Sequence, residues 1–275
     1  MKHSRQIVQN ALKQFVCIVL SLIIILPFLM VVINSFKTKL DASRMNLMLP
    51  TKWMFSNYAV VIEKGKMLRG FFNSFLYAGV STFAAVLLCA MVAFVIARNK
   101  TKINQFLYGF VLIGLFVPTN YVTLIRILKW VDLYDTRVGL ILIFTASMVP
   151  FCVFVIRNFI SSIPVEMDEA AVIDGSGPLT LFFRIILPLL KPVMVTSFLL
   201  EFMGIWSDFM TPLYLTSSQK KWPISMAVYG FFSQNTASWN LVFACVVLTV
   251  LPVVLLYLLG QNYIVEGLTT GAVKE

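Results

Sequence analysis

Long runs of apolar residues alternate with short polar segments along the chain. Six runs are long enough to cross a hydrocarbon layer about 30 Å thick, which takes about 20 helical residues. They are Phe15–Ile33, Phe75–Ala97, Phe106–Ile125, Val138–Ile156, Pro192–Leu215 and Leu241–Ile264. Unpaired backbone amides are costly in lipid, and no run shows the strict alternation of a barrel strand. The pattern therefore predicts an all-α integral membrane protein with six transmembrane helices.

The composition supports a membrane location. Hydrophobic residues make up 59% of the chain and charged residues only 12%, whereas soluble domains have about 45–50% and about 25%. The net charge of +10 arises from basic residues scattered singly between apolar runs. Such scattering does not form the continuous basic stripe that nucleic acid requires. We therefore predict a lipid bilayer and no nucleic acid among the binding partners.

The residue types that carry most enzymatic chemistry are absent or badly placed. The only histidine is His3, and the four cysteines lie inside apolar runs without metal-ligand spacing. Gly65 and Lys66 lack the upstream glycine and the following Ser or Thr of a phosphate-binding loop. The chain is predicted not to be an enzyme and to bind neither a cofactor nor ATP itself.

The polar segment 157–191 is organised by its prolines and glycines. Pro164 and three nearby acids favour a helix start, and Gly175 favours a stop, so a short helix is predicted over about 165–174. Pro178 begins a second helix, which ends or kinks at Pro188. The prediction is a helix, a sharp turn and another helix.

Acidic residues are concentrated in the first of these helices. The four acids are Glu166, Asp168, Glu169 and Asp174, interleaved with small and apolar residues. Such a helix avoids anionic lipid headgroups and suits docking into a protein groove. A solvated connector with an ordinary charged face is the alternative, and local sequence leaves both open.

A specific signature lies in this segment. Glu169–Gly175 followed after nine residues by Ile185–Pro188 matches E-A-A-x3-G-x9-I-x-L-P at every defined position. The chain thus resembles the membrane subunits of ATP-binding-cassette importers. Further similarity to the carbohydrate branch, and within it to the six-helix maltose-system (MalG-type) subunits, extends over most of the chain. It lies in residues 50–58, 73–74, 93–98 and 267–274.

The resemblance implies a fold, partners and roles. The implied fold is that of type I importer permeases (MetI-like), and 157–191 is implied to be the loop that couples this subunit to an ATPase. The implied coupling residues are Glu166, Asp168, Glu169, Ala170, Ala171, Asp174 and Gly175, supported by Pro178, Ile185, Leu187 and Pro188. The implied partners are a second homologous permease subunit, two ATP-binding subunits, an extracytoplasmic solute-binding protein and a carbohydrate.

Topology also comes from the resemblance. The 22 Lys and Arg residues divide almost evenly between the two sides of the six spans, so the positive-inside rule does not decide the orientation. A cytoplasmic coupling loop implies a cytoplasmic amino terminus (1–14), a six-helix permease domain (15–264) and a cytoplasmic carboxyl-terminal tail (265–275). The expected location is the bacterial plasma membrane.

The fifth predicted span carries two carboxylates. Glu201 and Asp208 are seven residues apart and are predicted to project from one helical face beside Gly204, which permits close helix approach. Charge at mid-membrane is costly, so this face is expected to avoid lipid. With Trp206 it forms a candidate translocation path, or else hydrogen-bonds to the partner subunit. Ser207 replaces the Asn usual in similar permeases.

Two rival functions remain at this point. A secondary transporter normally has inverted repeats or ionisable residues in several spans, whereas intramembrane carboxylates here are confined to the fifth span. An importer of the same kind for a solute other than a sugar is the closer alternative, because the residues of this chain do not identify the solute.

Overall fold

The computed structural model describes the backbone of residues 2–231 and 238–270, and the side chains of residues 10, 12–231 and 238–264. Every regular element in these ranges is helical, which confirms the predicted all-α class. The described residues within Met1–Met67 and Ala227–Leu251 form one compact unit. Those within Leu68–Met226 and Pro252–Glu275 form a second.

One buried asparagine connects separate segments of unit 1. Its helices are α1 (Lys2–Ser35), α2 (Lys39–Ala42) and α3 (Ser56–Lys64). Asn57 Nδ2 donates to the carbonyl oxygens of Ser35 at 2.8 Å and Lys37 at 3.0 Å, and Asn57 Oδ1 accepts from Asn240 Nδ2 at 2.9 Å. Asn57 therefore ties α3 to the end of α1 and to the start of α13, since buried amide groups require such partners.

Unit 2 contains most of the remaining helices. They are α4 (Met67–Arg98), α5 (Lys102–Ile113), α6 (Tyr121–Trp130), α7 (Arg137–Ile160), α8 (Glu166–Ile173), α9 (Pro178–Thr180), α10 (Leu187–Leu189), α11 (Lys191–Ser207) and α12 (Met210–Leu215). A π-helical turn, Leu181–Ile186, links α9 to α10. The last helix, α13 (Trp239–Thr270), begins in unit 1 and passes into unit 2 at Pro252.

A buried asparagine fixes the polar segment that follows α12. Asn73 Nδ2 donates to the carbonyl oxygens of Lys220 at 3.0 Å and Trp222 at 2.9 Å. Asn73 Oδ1 accepts from Arg137 Nη2 at 3.2 Å. One side chain of α4 thus positions both this segment and the start of α7.

An acid in the turn before α7 holds the same segment. The Asp135 carboxylate pairs with Lys221 Nζ at 3.1 Å and accepts from the backbone N–H of Ser217 at 3.0 Å. Burial alone would raise the pKa of Asp135, but the hydrogen bonds from Lys221, Ser217 and Ser218 outweigh it and hold the pKa below its ordinary value. This stabilisation is present above the ordinary pKa and is lost as pH falls through the lowered one.

Four of the predicted spans are single long helices. Among the described residues, the single helices long and apolar enough to cross a bilayer are Leu12–Ser35, Met67–Arg98, Arg137–Ile160 and Trp239–Ile264. A fifth passes the same test only as a bent pair, Pro178–Leu189 with Lys191–Ser207, at an angle of 71°. These helices include the first, second, fourth and sixth predicted runs and residues 192–207 of the fifth, whose remaining residues lie in the break after Ser207 and in α12.

The third predicted run, 106–125, departs from a continuous helix. It comprises the end of α5, a non-helical stretch at 114–120 and the start of α6. Pro118 lies in this stretch and has no N–H to donate, while Asn120 caps α6 by accepting from Thr123 N at 3.1 Å. Local stop and start signals therefore override the apolar pattern here.

The first and last helices extend beyond the predicted membrane domain. At about 1.5 Å per residue, a helix the length of α1 is about 50 Å long and exceeds the hydrocarbon layer. It begins at Lys2, inside the predicted amino-terminal segment 1–14, and α13 continues to Thr270, inside the predicted tail 265–275. Residues 271–275 of that tail, including Lys274 of the 267–274 similarity, lie outside the described residues.

Candidate functional site

The short acidic helix forms where the sequence predicts it. Helix α8 begins at Glu166, after Pro164, and the backbone N–H groups of Asp168 and Glu169 donate to Val165 O at 2.9 and 3.1 Å. No side chain caps this end. The three acids of the first turn instead favour the positive end of the helix dipole.

The end of α8 is a Schellman turn. Gly175 has φ +82°, its N–H donates to Val172 O at 3.0 Å, and Ser176 N donates to Ala171 O at 2.9 Å. These two bonds satisfy carbonyls that the helix end would otherwise leave unpaired. The positive φ is the reason for glycine at this position. The predicted left-handed stop is confirmed.

The seven predicted coupling residues do not share one surface. Asp168 and Ala171, which are 9% and 5% exposed, face the interior of unit 2. The exposed side chains of α8 include Glu166, Glu169, Ala170 and Ile173. On a helix of 3.6 residues per turn these four lie on one face, which we call the outer face of α8.

Ile173 is the residue of the outer face that sequence reasoning missed. Its side chain is 85% exposed, more than the other large apolar side chains of α8, Met167 at 40% and Val172 at 59%. The signal in the sequence is its spacing of three to four residues from Glu169 and Ala170, which places it on the same face. The outer face therefore combines two carboxylates, a small residue and an apolar side chain.

Asp168 is instead paired within the subunit. Arg98, the last residue of α4, contacts both of its oxygens, with Nε–Oδ2 at 2.7 Å and Nη2–Oδ1 at 3.2 Å. Arg98 Nη1 also lies 3.2 Å from Ile163 O and 3.4 Å from Ile160 O. Sequence reasoning assigned no role to Arg98, since its partner is 70 residues away along the chain.

The predicted support residues lie in the return from α8 to the fifth span. Pro178 is the first residue of α9, after Gly177, as predicted. Ile185 is half-buried in the π turn, and Pro188 has no N–H to donate to the carbonyl four residues earlier. The chain then bends by 71° between α10 and α11.

An apolar groove runs beside this bend. Its volume is about 430 Å³. The residues that line it are Phe83, Val86, Leu87, Leu187, Pro188, Lys191, Met194, Val195, Phe198 and Leu199. Leu187 and Pro188 therefore form part of a surface and are not enclosed in the core.

The prediction that Glu201 and Asp208 share one continuous helical face is wrong. Helix α11 ends at Ser207, and Asp208 has an extended backbone with ψ 121°. The Asp208 carboxylate accepts from Thr211 N at 3.0 Å in the first turn of α12, and Asp208 O accepts from Ser225 Oγ at 2.8 Å. A carboxylate that binds the amide of a new helix favours the break.

The other candidate path residues have different surroundings. Trp206 is 2% exposed and packs against Phe71 and Phe202, with ring centroids 5.4 and 5.8 Å apart. Glu201 is half-buried. Gly204 is exposed, and a Cβ placed there would meet no described atom within 4 Å. The close helix approach expected at Gly204 is thus not made within the described part of the chain.

Known proteins resemble this chain over nearly its whole length. Residues 63–269 match the family described as binding-protein-dependent transport system inner membrane component. The probable starch degradation products transport system permease protein AmyC of Thermoanaerobacterium thermosulfurigenes is 32% identical over 269 residues, covering 98% of each chain. The melibiose/raffinose/stachyose import permease protein MelC of Bacillus subtilis strain 168 is 33% identical over 252 residues, covering 90% of this chain and 91% of that protein.

A solved structure shares the fold. A chain of a bacterial ABC transporter involved in the import of the acidic polysaccharide alginate superposes with a TM-score of 0.82. The two chains are 17% identical, and the match covers 93% of this chain and 96% of that one. At this identity the likeness establishes the importer permease fold alone.

Proposed function

The chain belongs to the family of binding-protein-dependent transport system inner membrane components, and on this basis we propose that it forms one half of the translocation path of an ATP-driven carbohydrate importer. The family identified from the EAA signature is confirmed. It is a membrane component of transport systems, so the chain is a multi-pass membrane protein and not an enzyme.

The observation that carries the proposal is the construction of α8. Its outer face is exposed, whereas Asp168 and the Schellman turn at Gly175 fix both of its ends. A rigid helix with a free face suits docking into a groove of an ATP-binding subunit. Glu166, Glu169, Ala170 and Ile173 are the proposed docking residues, and Asp168 and Ala171 support them from the inner face.

Energy for transport enters through this contact. Switching a two-state bundle almost completely, from 1:99 to 99:1, takes about 5.5 kcal/mol of differential binding. ATP-driven closure of two partner subunits supplies it only if the contact transmits force to the spans. In this proposal α8 lies on the cytoplasmic side of the bacterial plasma membrane, as do both termini. A second homologous permease subunit completes the path.

The carbohydrate is proposed from the relatives. AmyC is named for starch degradation products and MelC for melibiose, raffinose and stachyose. An extracytoplasmic solute-binding protein delivers the solute in this proposal. Uptake assays with oligosaccharides, amino acids and peptides as parallel substrates decide between a carbohydrate and another solute.

The purified chain alone is expected to show no ATP hydrolysis, while the assembled complex imports solute in proteoliposomes.

A cysteine at position 170, in a Cys17→Ser background, is expected to crosslink to the ATP-binding subunit. Cys17 is exposed, whereas the other three cysteines are buried. Hydrolysis by the chain alone, or labelling of position 170 only from outside the cell, contradicts the proposal.

Asp208→Asn is expected to lower solute uptake about tenfold at normal complex yield. The factor corresponds to about 1.5 kcal/mol, the free energy expected on losing one hydrogen bond between the solute and a charged group. Asparagine retains an oxygen that accepts from Thr211 N, so the break before α12 remains. Asp208→Ala removes that acceptor as well and is expected to reduce complex yield. Yield and uptake are measured on the same membranes.

Normal uptake by Asp208→Asn would remove Asp208 from the path.

In the proposed path Glu201 and Gly204 lie on the surface of α11 toward the second permease subunit. Trp206 supports this surface from within, because it is buried against Phe71 and Phe202.

A further inference from the structure

We propose that Arg98 is a positioning residue that locks α8 to the ends of α4 and α7, so that the coupling helix and these two membrane helices move as one body. The inference rests on the proposed function, since it assumes that α8 docks against an ATP-binding subunit. It assigns a task to a residue outside the EAA signature, on a different helix from the docking face.

The contacts of Arg98 connect three elements. Two guanidinium nitrogens bind the two carboxylate oxygens of Asp168 in α8, at 2.7 and 3.2 Å. A third nitrogen reaches the carbonyl oxygens of Ile160, the last residue of α7, and Ile163 in the connection to α8. The planar guanidinium presents its donors in a fixed fork, so these bonds fix direction as well as distance.

The electrostatic surroundings favour this arrangement. Ile160 O belongs to the last turn of α7, where unpaired carbonyls and the helix dipole attract a cation. Asp168 lies in the first turn of α8, where the dipole attracts an anion. The Arg98 and Asp168 side chains are only 14% and 13% exposed, so water screens the pair weakly.

The pair also explains why the acids of α8 differ in exposure. Glu166 and Glu169 are exposed on the outer face, and Asp168 is buried toward Arg98.

The Schellman turn fixes the other end of the helix. Because both ends of α8 are held, a displacement of its outer face by the ATP-binding subunit also displaces α4 and α7. Without Arg98 the first turn of α8 is free to tilt, and the displacement of α4 and α7 is smaller.

The experiment measures solute imported per ATP hydrolysed by the complete complex in proteoliposomes. Arg98→Gln is expected to lower this ratio about tenfold, the scale expected on losing hydrogen bonds to a charged group. Arg98→Lys retains a single point charge and is expected to fall between Arg98→Gln and the unmodified chain. Lys100→Gln makes the same charge change at an exposed position two residues away and is the matched control.

The ratio separates positioning from simple stability. A purely structural role lowers the yield of complex and leaves the solute imported per ATP unchanged in the complexes that form, which overturns the proposal. If Arg98→Gln prevents assembly, the uncharged pair Arg98→Met with Asp168→Leu replaces it, because this pair leaves no unpaired buried charge. A normal ratio in that double variant also overturns the proposal.

Crosslinking of position 170 distinguishes this inference from the function beneath it. Absence of a crosslink to the ATP-binding subunit in the unmodified complex contradicts the proposed function itself. A crosslink in the unmodified complex, with the same yield and the same import ratio in every Arg98 variant, contradicts the positioning role alone. The expected result is a crosslink that weakens in Arg98→Gln and is unchanged in Lys100→Gln.

Discussion

Gly175→Val is expected to uncouple ATP hydrolysis from import while the membrane helices remain inserted. Gly175 has φ +82°, a conformation that a β-branched residue adopts only as an outlier. The left-handed conformation costs about 1–2 kcal/mol for an ordinary L-residue, enough to shift the turn about tenfold toward other conformations. The result is measured as solute imported per ATP in proteoliposomes.

Gly177→Val is the matched control two residues away. Gly177 has φ −71° and ψ 165°, an extended conformation that suits both valine and a residue before proline. A Cβ at either glycine meets no described atom within 4 Å, so the two substitutions differ in backbone strain and not in crowding. Equal import ratios for Gly175→Val and Gly177→Val would contradict the role of the turn.

Local signals made α8 and its turn predictable. Pro164, the first-turn acids and Gly175 each act within one turn of the helix end that they determine, so their effect is readable from the sequence. The same holds for Pro178 at the first position of α9. These residues set the bounds of the elements and not the direction in which the elements face.

The division of α8 into two faces was not predictable in this way. Asp168 and Glu169 are adjacent acids, and nothing local distinguishes the one that is buried. The difference is made by Arg98, which the fold brings to Asp168 across 70 residues. Likewise the signature EAA residues include Ala171, which packs inward, and omit Ile173, which is exposed.

Apolar runs predicted the spans better than they predicted their continuity. Hydropathy records composition, whereas a break requires a polar group to satisfy the interrupted backbone. Asn120 does so before α6, and Asp208 does so before α12. Each is one polar residue within a run that is apolar on average, so it hardly changes the total hydropathy of the run.

Glu169→Lys is expected to weaken docking of the ATP-binding subunit more than any other single change on the outer face. Glu169 is exposed and lies in the first turn of α8. Replacing its carboxylate by the lysine ammonium removes about 0.3–1 kcal/mol of favourable interaction with the helix dipole. At a docked interface, breaking a buried charged contact costs about 2–5 kcal/mol, which lowers the association constant of the two subunits more than tenfold. Glu169→Gln removes the charge without reversing it and is expected to have a smaller effect.

Glu63→Lys makes the same reversal at an exposed position near the end of α3 and is the matched control. In the proposed orientation α3 lies on the extracytoplasmic side, so docking of the ATP-binding subunit is expected to be unchanged. Docking is measured as crosslinking of a cysteine at position 170 and as co-purification of the ATP-binding subunit across a salt series. Because the Glu169 carboxylate makes no hydrogen bond or ion pair within the described structure, a normal yield of inserted chain is expected with the loss of docking. Unchanged crosslinking and co-purification in Glu169→Lys would show that the outer face of α8 is not the docking surface.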